Sequence, residues 1–209
     1  AFFQVISPTG TAVTGAITPY GDINPSGTGE QNTPLVAALT GGGFAIMWDS
    51  NGGPGDIGPT GDVADTYVRV FDNSGNPVAA TQKVNDSTAD EELPAAIIPL
   101  SSGGFAVVWK DDNELPATPD DNLDDYYVRL FNSSGTPVNS SIRLGGSAHD
   151  PFFMDFDDIY GIAELSNGNI VVGWETRDRG TTPSPDGNDQ GAFFQVISPT
   201  GTAVTGAIT

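Results

Sequence analysis

The chain has no cysteine, one histidine, two methionines and only seven basic residues among its 209. Without cysteine, neither a disulfide framework nor a thiolate zinc site can form. With His149 alone, the usual Ser–His and Cys–His nucleophile pairs are out of reach. Seven Lys and Arg against 27 Asp and Glu leave a formal charge of −20. Such a charge repels nucleic acid and anionic membrane surfaces and makes cations the natural partners. No apolar run approaches the roughly 20 residues needed to span a bilayer, no secretory leader is visible, and no amphipathic helical period of useful length occurs. The expectation is therefore no nucleic acid partner and no membrane insertion.

What the chain does have is repetition. Ala192 to Thr209, AFFQVISPTGTAVTGAIT, repeats Ala1 to Thr18 letter for letter at an offset of 191 residues, as one full period of a longer array followed by the opening of the next copy would. Diverged relatives of this stretch lie inside the period: YVRVFDNSGNPV from Tyr67 to Val78 and YVRLFNSSGTPV from Tyr127 to Val138, in register at Gly75, Gly135 and Gly201. A second signature precedes each, reading LTGGGFAIMW from Leu39 to Trp48, LSSGGFAVVW from Leu100 to Trp109 and LSNGNIVVGW from Leu165 to Trp174. Three modules of similar length make one period.

Hydrophobic residues at 37% and aromatics at 9% suffice for a packed core. Within each module a short apolar run, a Gly-rich turn, a Phe-to-Trp strand, a long acidic loop, a Tyr-to-Phe strand and a closing strand read as four antiparallel strands. The Asn167-Gly168 pair suits a tight hairpin in which both central residues take positive φ. The predicted division is 1–18 as the end of a preceding module, 19–33 as a connection, 34–85 as module 1, 94–144 as module 2, 145–158 as a connection and 159–209 as module 3. The fold class is all-β: three four-stranded antiparallel modules, propeller-blade-like, plus a half module. They would stack serially or form part of a larger ring, with β-sandwich repeats as the alternative.

The LxxGGFxVxW and YVRxFxxxGxPV signatures resemble the blade-like tandem repeats of very large secreted bacterial surface proteins and adhesins, which often accompany hemolysin-type calcium-binding segments. The resemblance covers the three modules and implies extracellular structure or adhesion at the cell surface. The nonapeptide calcium repeat itself is absent; Gly52-Gly53-Pro54-Gly55-Asp56 begins like one and does not recur.

Candidate metal ligands lie in the long loops before the third strand of each module. Asp120, Asn122 and Asp124, like Asp186, Asn188 and Gln190, are spaced i, i+2, i+4, which is how a calcium loop turns alternate oxygens onto one hard cation. Asp125 adds to the crowd of carboxylates in the second module, whose repulsion calls for a counterion. In the first module Asp62 and Asp65 are the corresponding acids, with Thr60 and Ala64 where two ligands would stand. Asp111, Asp112 and Asp178 could complete a shell, and calcium is the expected cofactor. The competing reading is solvated turns, since exposed turns select the same residue types.

The three Trp occupy matched positions, which suggests packing, with a sugar-stacking platform as the alternative. Arg69 and Arg129 match each other and Gln195, so they should pair with neighbouring acids. His149 reads as a loop histidine, and Phe152, Phe153, Met154 and Phe156 as a plug between modules or a sticky contact. Asn85-Asp86-Ser87, Asn132-Ser133-Ser134 and Asn139-Ser140-Ser141 fit the glycosylation sequon. Carboxylates are too numerous to single out a glycosidase pair, so the sequence argues against an enzyme. It points to a structural repeat of a giant extracellular filament, stalk or adhesin, stiffened by calcium, whose partners are neighbouring copies of itself. The alternative is a lectin-like β-propeller module that binds surface glycans.

Overall fold

The computed structural model describes residues 1–24, 29–51, 64–86, 91–114, 122–145, 154–178 and 190–208. Eleven strands and no helix are found among them. Strands β1 (Glu30–Ala38), β2 (Phe44–Asn51), β3 (Ala64–Phe71) and β4 (Gln82–Lys83) form one antiparallel sheet in that order. The second holds β5 (Glu91–Pro99), β6 (Phe105–Glu114), β7 (Asn122–Phe131) and β8 (Ile142–Arg143) in the same order. The third is β9 (Met154–Glu164), β10 (Ile170–Asp178) and β11 (Gln190–Ile197), and Ile208 bridges to Phe194 at the place of the fourth strand. Each sheet is a meander that does not close on itself. The protein is therefore all-β and built of blade-like modules, called blades 1 to 3 below.

The blades are stacked face to face. Leu39, Ala45, Met47, Val68, Val70 and Val84 of blade 1 share one core with Phe105, Val107, Trp109 and Phe131 of blade 2. The other face of blade 2, through Ala106, Val108, Tyr126, Val128 and Leu130, shares a second core with Ile170, Val172, Trp174, Phe193 and Ile197 of blade 3. This explains the second signature. A strand covered on both faces needs apolar residues at successive positions, so FAIMW, FAVVW and IVVGW are continuous runs rather than alternations. Trp48 and Tyr67, Trp109 and Tyr127, and Trp174 and Phe193 are cross-strand partners with stacked rings 6.1, 5.5 and 6.2 Å apart. Each such pair is worth about 0.2–1 kcal/mol relative to an Ala–Ala pair.

The remaining face of blade 1 is covered by residues 1–18, folded as a hairpin through the bridges Phe3↔Ile17 and Ile6↔Ala12. Phe3 lies 5.4 Å from Phe44 and 4.7 Å from Phe71, ring to ring, and Tyr20 and Ile23 complete this third core.

Two sequence expectations are refined. The turn at Ser166 to Asn169 has positive φ only at Gly168, with hydrogen bonds Gly168 N to Leu165 O and Leu165 N to Asn169 O. That is a type I turn closed by a left-handed glycine, not a two-residue turn with Asn167 at positive φ. The blades also begin earlier than their apolar signals. β1 starts at Glu30, inside the stretch read as connection, and β9 at Met154. The ladder bonds carry these starts, and in β1 and β5 the ladder shifts register at Pro34 and beside Pro94, where bulges accommodate the missing N–H.

Candidate functional site

The three blade joints repeat one construction. At Gly75, an added Cβ would lie 3.1 Å from Ile17, 3.3 Å from Thr14 and 3.5 Å from Val5 of the hairpin. At Gly135 it would lie 3.2 Å from Val70 of blade 1, and at Gly201 it would overlap Asn139 of blade 2. Val5 and Val70 are equivalent in the repeat, as are Thr14 and Asn139, so the turn of each blade rests on the same place of the blade before it. An Arg–Asp clamp locks the first two joints. Arg69 Nη1 meets Asp22 at 2.9 Å and donates to Pro19 O, while Asp22 accepts from the Thr81 amide and hydroxyl at 2.8 and 2.7 Å. Arg129 Nη1 likewise meets Asp86 at 2.9 Å and donates to Val84 O, and Asp86 accepts from the Ser141 amide and hydroxyl at 3.1 and 2.6 Å. At the third joint Gln195 stands where Arg would be and accepts from the Gly145 amide.

The second joint, between blades 1 and 2, carries something the others lack. Glu92 of β5 is fully buried there, opposite Asp111 in the β5–β6 ladder and against Asp65 of β3. Asp65 pairs with Lys83 Nζ at 2.6 Å and accepts from Asn85 Nδ2 at 2.9 Å; Thr66 Oγ1 donates to Glu92 O at 2.8 Å. Burial pushes the Glu92 carboxyl up to about 8, and repulsion from Asp65 and Asp111 adds to the rise against the opposing pull of Lys83. When ionised, neither Glu92 oxygen has a hydrogen-bond partner; when protonated, the acid donates towards Asp65. The corresponding pairs are Gln31 and Ser50 in blade 1 and Phe156 and Thr176 in blade 3, so among the described residues this acid group occurs once.

Beside it opens a cleft of about 200 Å3 lined by Asn85, Asp86, Trp109, Asp111, Tyr127 and Ser141. Burial pushes the Asp86 carboxyl up, but the Ser141 hydroxyl and amide and the Arg129 guanidinium outweigh it and hold the group below its ordinary value. The cleft thus combines an aromatic wall of Trp109 and Tyr127 with the carboxylate of Asp86, which is held ionised, and the side chain of Asp111. Such a surface can stack against an apolar ring face and hydrogen-bond polar substituents.

The calcium candidates divide three ways. Asp62, Asp120, Asp186 and Asn188 lie outside the described residues, as does His149. Asn122 and Asp124 belong to β7, paired in register with Glu114 and Asp112, so extended strand rather than curled loop holds them. Asp65 and Asp125 are satisfied by cations from the closing strands, Lys83 at 2.6 Å and Arg143 at 2.5 Å. Among the described residues, no three acidic or imidazole side chains are placed to share one metal ion. Sequence reasoning missed Glu92, because EEL after Asp90 reads as a solvated charge run. The available signal was its place two residues before Pro94, in register with Asp111 two residues after Trp109.

No family model matches the chain, and no curated protein matches it. Among solved structures, it is similar to an endo-arabinase from Bacteroides thetaiotaomicron VPI-5482, with a TM-score of 0.48 and 12% sequence identity; the match covers 87% of this chain and 63% of that one. The chain therefore spans less than two thirds of that enzyme's length. That neighbour is named as an enzyme, whereas the sequence argued against one; that expectation is corrected on chemical grounds, because a shortage of His and Cys removes imidazole and thiol nucleophiles while glycoside hydrolysis runs on carboxylates alone.

Proposed function

We propose that the chain is a structural segment of an extracellular repeat array, a filament, stalk or adhesin shaft, in which blades stack one on the next. The observation that carries this reading is the repeated joint. Gly75 on the hairpin, Gly135 on blade 1 and Gly201 on blade 2 make one contact three times, and a contact that recurs within the chain can recur between periods. Calcium has a place in this reading at the acidic segments before the third strands, through Asp120, Asp186 and Asn188 and through Asn122 and Asp124 at the start of β7. There it would offset the repulsion among these carboxylates, whereas Asp65 and Asp125 have Lys83 and Arg143. Electron microscopy of the purified protein, with calcium and after chelation, tests it. Regular extended particles that loosen in chelator are expected; compact particles in both conditions at high protein concentration would sink the array.

A second reading is favoured by the cleft at the joint of blades 1 and 2. Trp109, Tyr127, Asp86 and Asp111 suit a lectin-like module that takes a surface glycan. Under it, a glycan array yields hits that Tyr127→Ala abolishes.

A further inference from the structure

One sequence is present twice in this structure, and its two copies bury opposite faces. Their internal bonding is the same: bridges Phe3↔Ile17 and Phe194↔Ile208, Ile6↔Ala12 and Ile197↔Ala203, with Thr14 Oγ1 and Thr205 Oγ1 accepting from the Val5 and Val196 amides at 3.1 Å each. In the first copy Phe2 and Ile6 are 68% and 51% exposed, while Phe3, Val5 and Ile17 turn onto blade 1. In the second copy Phe193 and Ile197 are 4% and 0% exposed against blade 2, while Phe194 and Ile208 are 39% and 38% exposed. Adjacent residues of a strand point to opposite faces, so the residues that cover blade 1 in one copy are those left open in the other.

Resting on the array reading, we infer that the open face of blade 3, made by Phe194, Val196, Thr205 and Ile208 with Val171 of β10 beside them, is the docking surface for blade 1 of a second copy of this chain. It meets Phe44, Phe71 and Gly75 there and takes the place of that copy's own residues 1–18. The fit is written in the first copy: Phe3, Val5, Thr14 and Ile17 are the same residue types in the same hairpin, already seated on Phe44, Phe71 and Gly75. Val171 is equivalent to Ala45 and Ala106, both fully covered by the next blade. Blade 3 therefore offers blade 1 a strand, β10, that the hairpin alone lacks. Asp22 stays clamped to Arg69 and Thr81, so only residues 1–18 need to leave. The contact joins two different faces, so it either closes on itself or continues as an open stack.

Sedimentation velocity of the full chain over a concentration series tests the assignment. Phe3→Ser loosens the hairpin without touching blade 3, and should strengthen self-association at least about tenfold over the wild type, a change of about 1.4 kcal/mol. Phe3→Ser with Phe194→Ser should return the protein to monomer with unchanged thermal unfolding relative to Phe3→Ser. A cooperatively folded Phe3→Ser that stays monomeric throughout, or a double variant that associates as strongly as the single one, overturns the proposal. If Phe3→Ser does not fold cooperatively, oxidation of a chain free of native cysteine decides instead. Phe44→Cys with Phe194→Cys should give covalent multimers, and Val36→Cys with Phe194→Cys, using an exposed site on β1, should not. Equal yields, or none from the first pair, overturn it. Assemblies of the wild type that persist unchanged in Phe194→Ser leave the array reading standing and remove this surface; no assembly of any variant removes both.

Discussion

The Glu92 and Asp65 carboxyls meet across the joint between the first and second blades, where burial and mutual repulsion push Glu92 up to about 8. Because Glu92 is an acid held above its ordinary value, the folded state binds its proton more tightly than the unfolded chain does. Its contribution is present below about pH 4.5 and is lost as pH rises through about 8. Wild-type stability should therefore fall between these values by an amount on the order of 5 kcal/mol from this group. Glu92→Gln, which keeps the shape and cannot ionise, should flatten that slope and raise the Tm at pH 9. Thermal unfolding across the pH range checks it, and parallel curves for the two proteins would refute it.

The ion pairs of the two closing strands should differ in weight. Lys83 and Asp65 are nearly enclosed, with Glu92 and Asp111 nearby, whereas Arg143 and Asp125 are partly open to water. Lys83→Met leaves a buried carboxylate group with no cation and should cost about 3–5 kcal/mol. Arg143→Met should cost about 1 kcal/mol or less, since solvent screens Asp125. Chemical denaturation of both variants gives the comparison.

The glycine turns make a third contrast. A Cβ at Gly104 would collide with the Phe131 carbonyl, which is backbone and cannot swing aside. Gly104→Ala should therefore destabilise by about 1–3 kcal/mol. Gly41→Ala, with nothing nearby, should stay within about 0.5 kcal/mol of wild type. Equal Tm values would show that the β6–β7 pair is looser than described.

Calcium bound by the native state alone must raise its stability by mass action. The Tm should rise with calcium and fall in chelator, and Asp120→Asn with Asp124→Asn should remove most of the difference. A Tm indifferent to chelator would discard calcium from the proposed function while leaving the stack intact.

Much of the fold was legible because its causes are local or repeated. The runs ending at Trp48, Trp109 and Trp174 announce strands covered on both faces, and the recurring glycines mark the turns between them. The matched Arg69 and Arg129 were expected to pair with acids, and Asp22 and Asp86 are those acids. What stayed hidden depends on register. Glu30 to Asn32 form strand through ladder bonds to Asn51, Ser50 and Asp49, which no apolar period records. Glu92 looks like any surface glutamate until the β5–β6 register sets it opposite Asp111 and the next blade closes over it. Asp65, read as a cation ligand, is bonded to a residue 18 positions on, Lys83, that no loop motif includes.

Blade 3 is finished by β11 and the hairpin that follows it, whose residues the letter-for-letter repeat assigns to the start of another period. Sequence unit and folding unit are thus out of phase by one hairpin. In a continuous chain, a cut placed at the sequence boundary, between residues 191 and 192, would sever the peptide without parting the folded pieces, because the eight-residue ladder from Ile170 to Arg177 spans the break. Such an array would be held by interleaved pairing as well as by its backbone, and its weak points would fall in the connections between blades rather than where the repeat begins again.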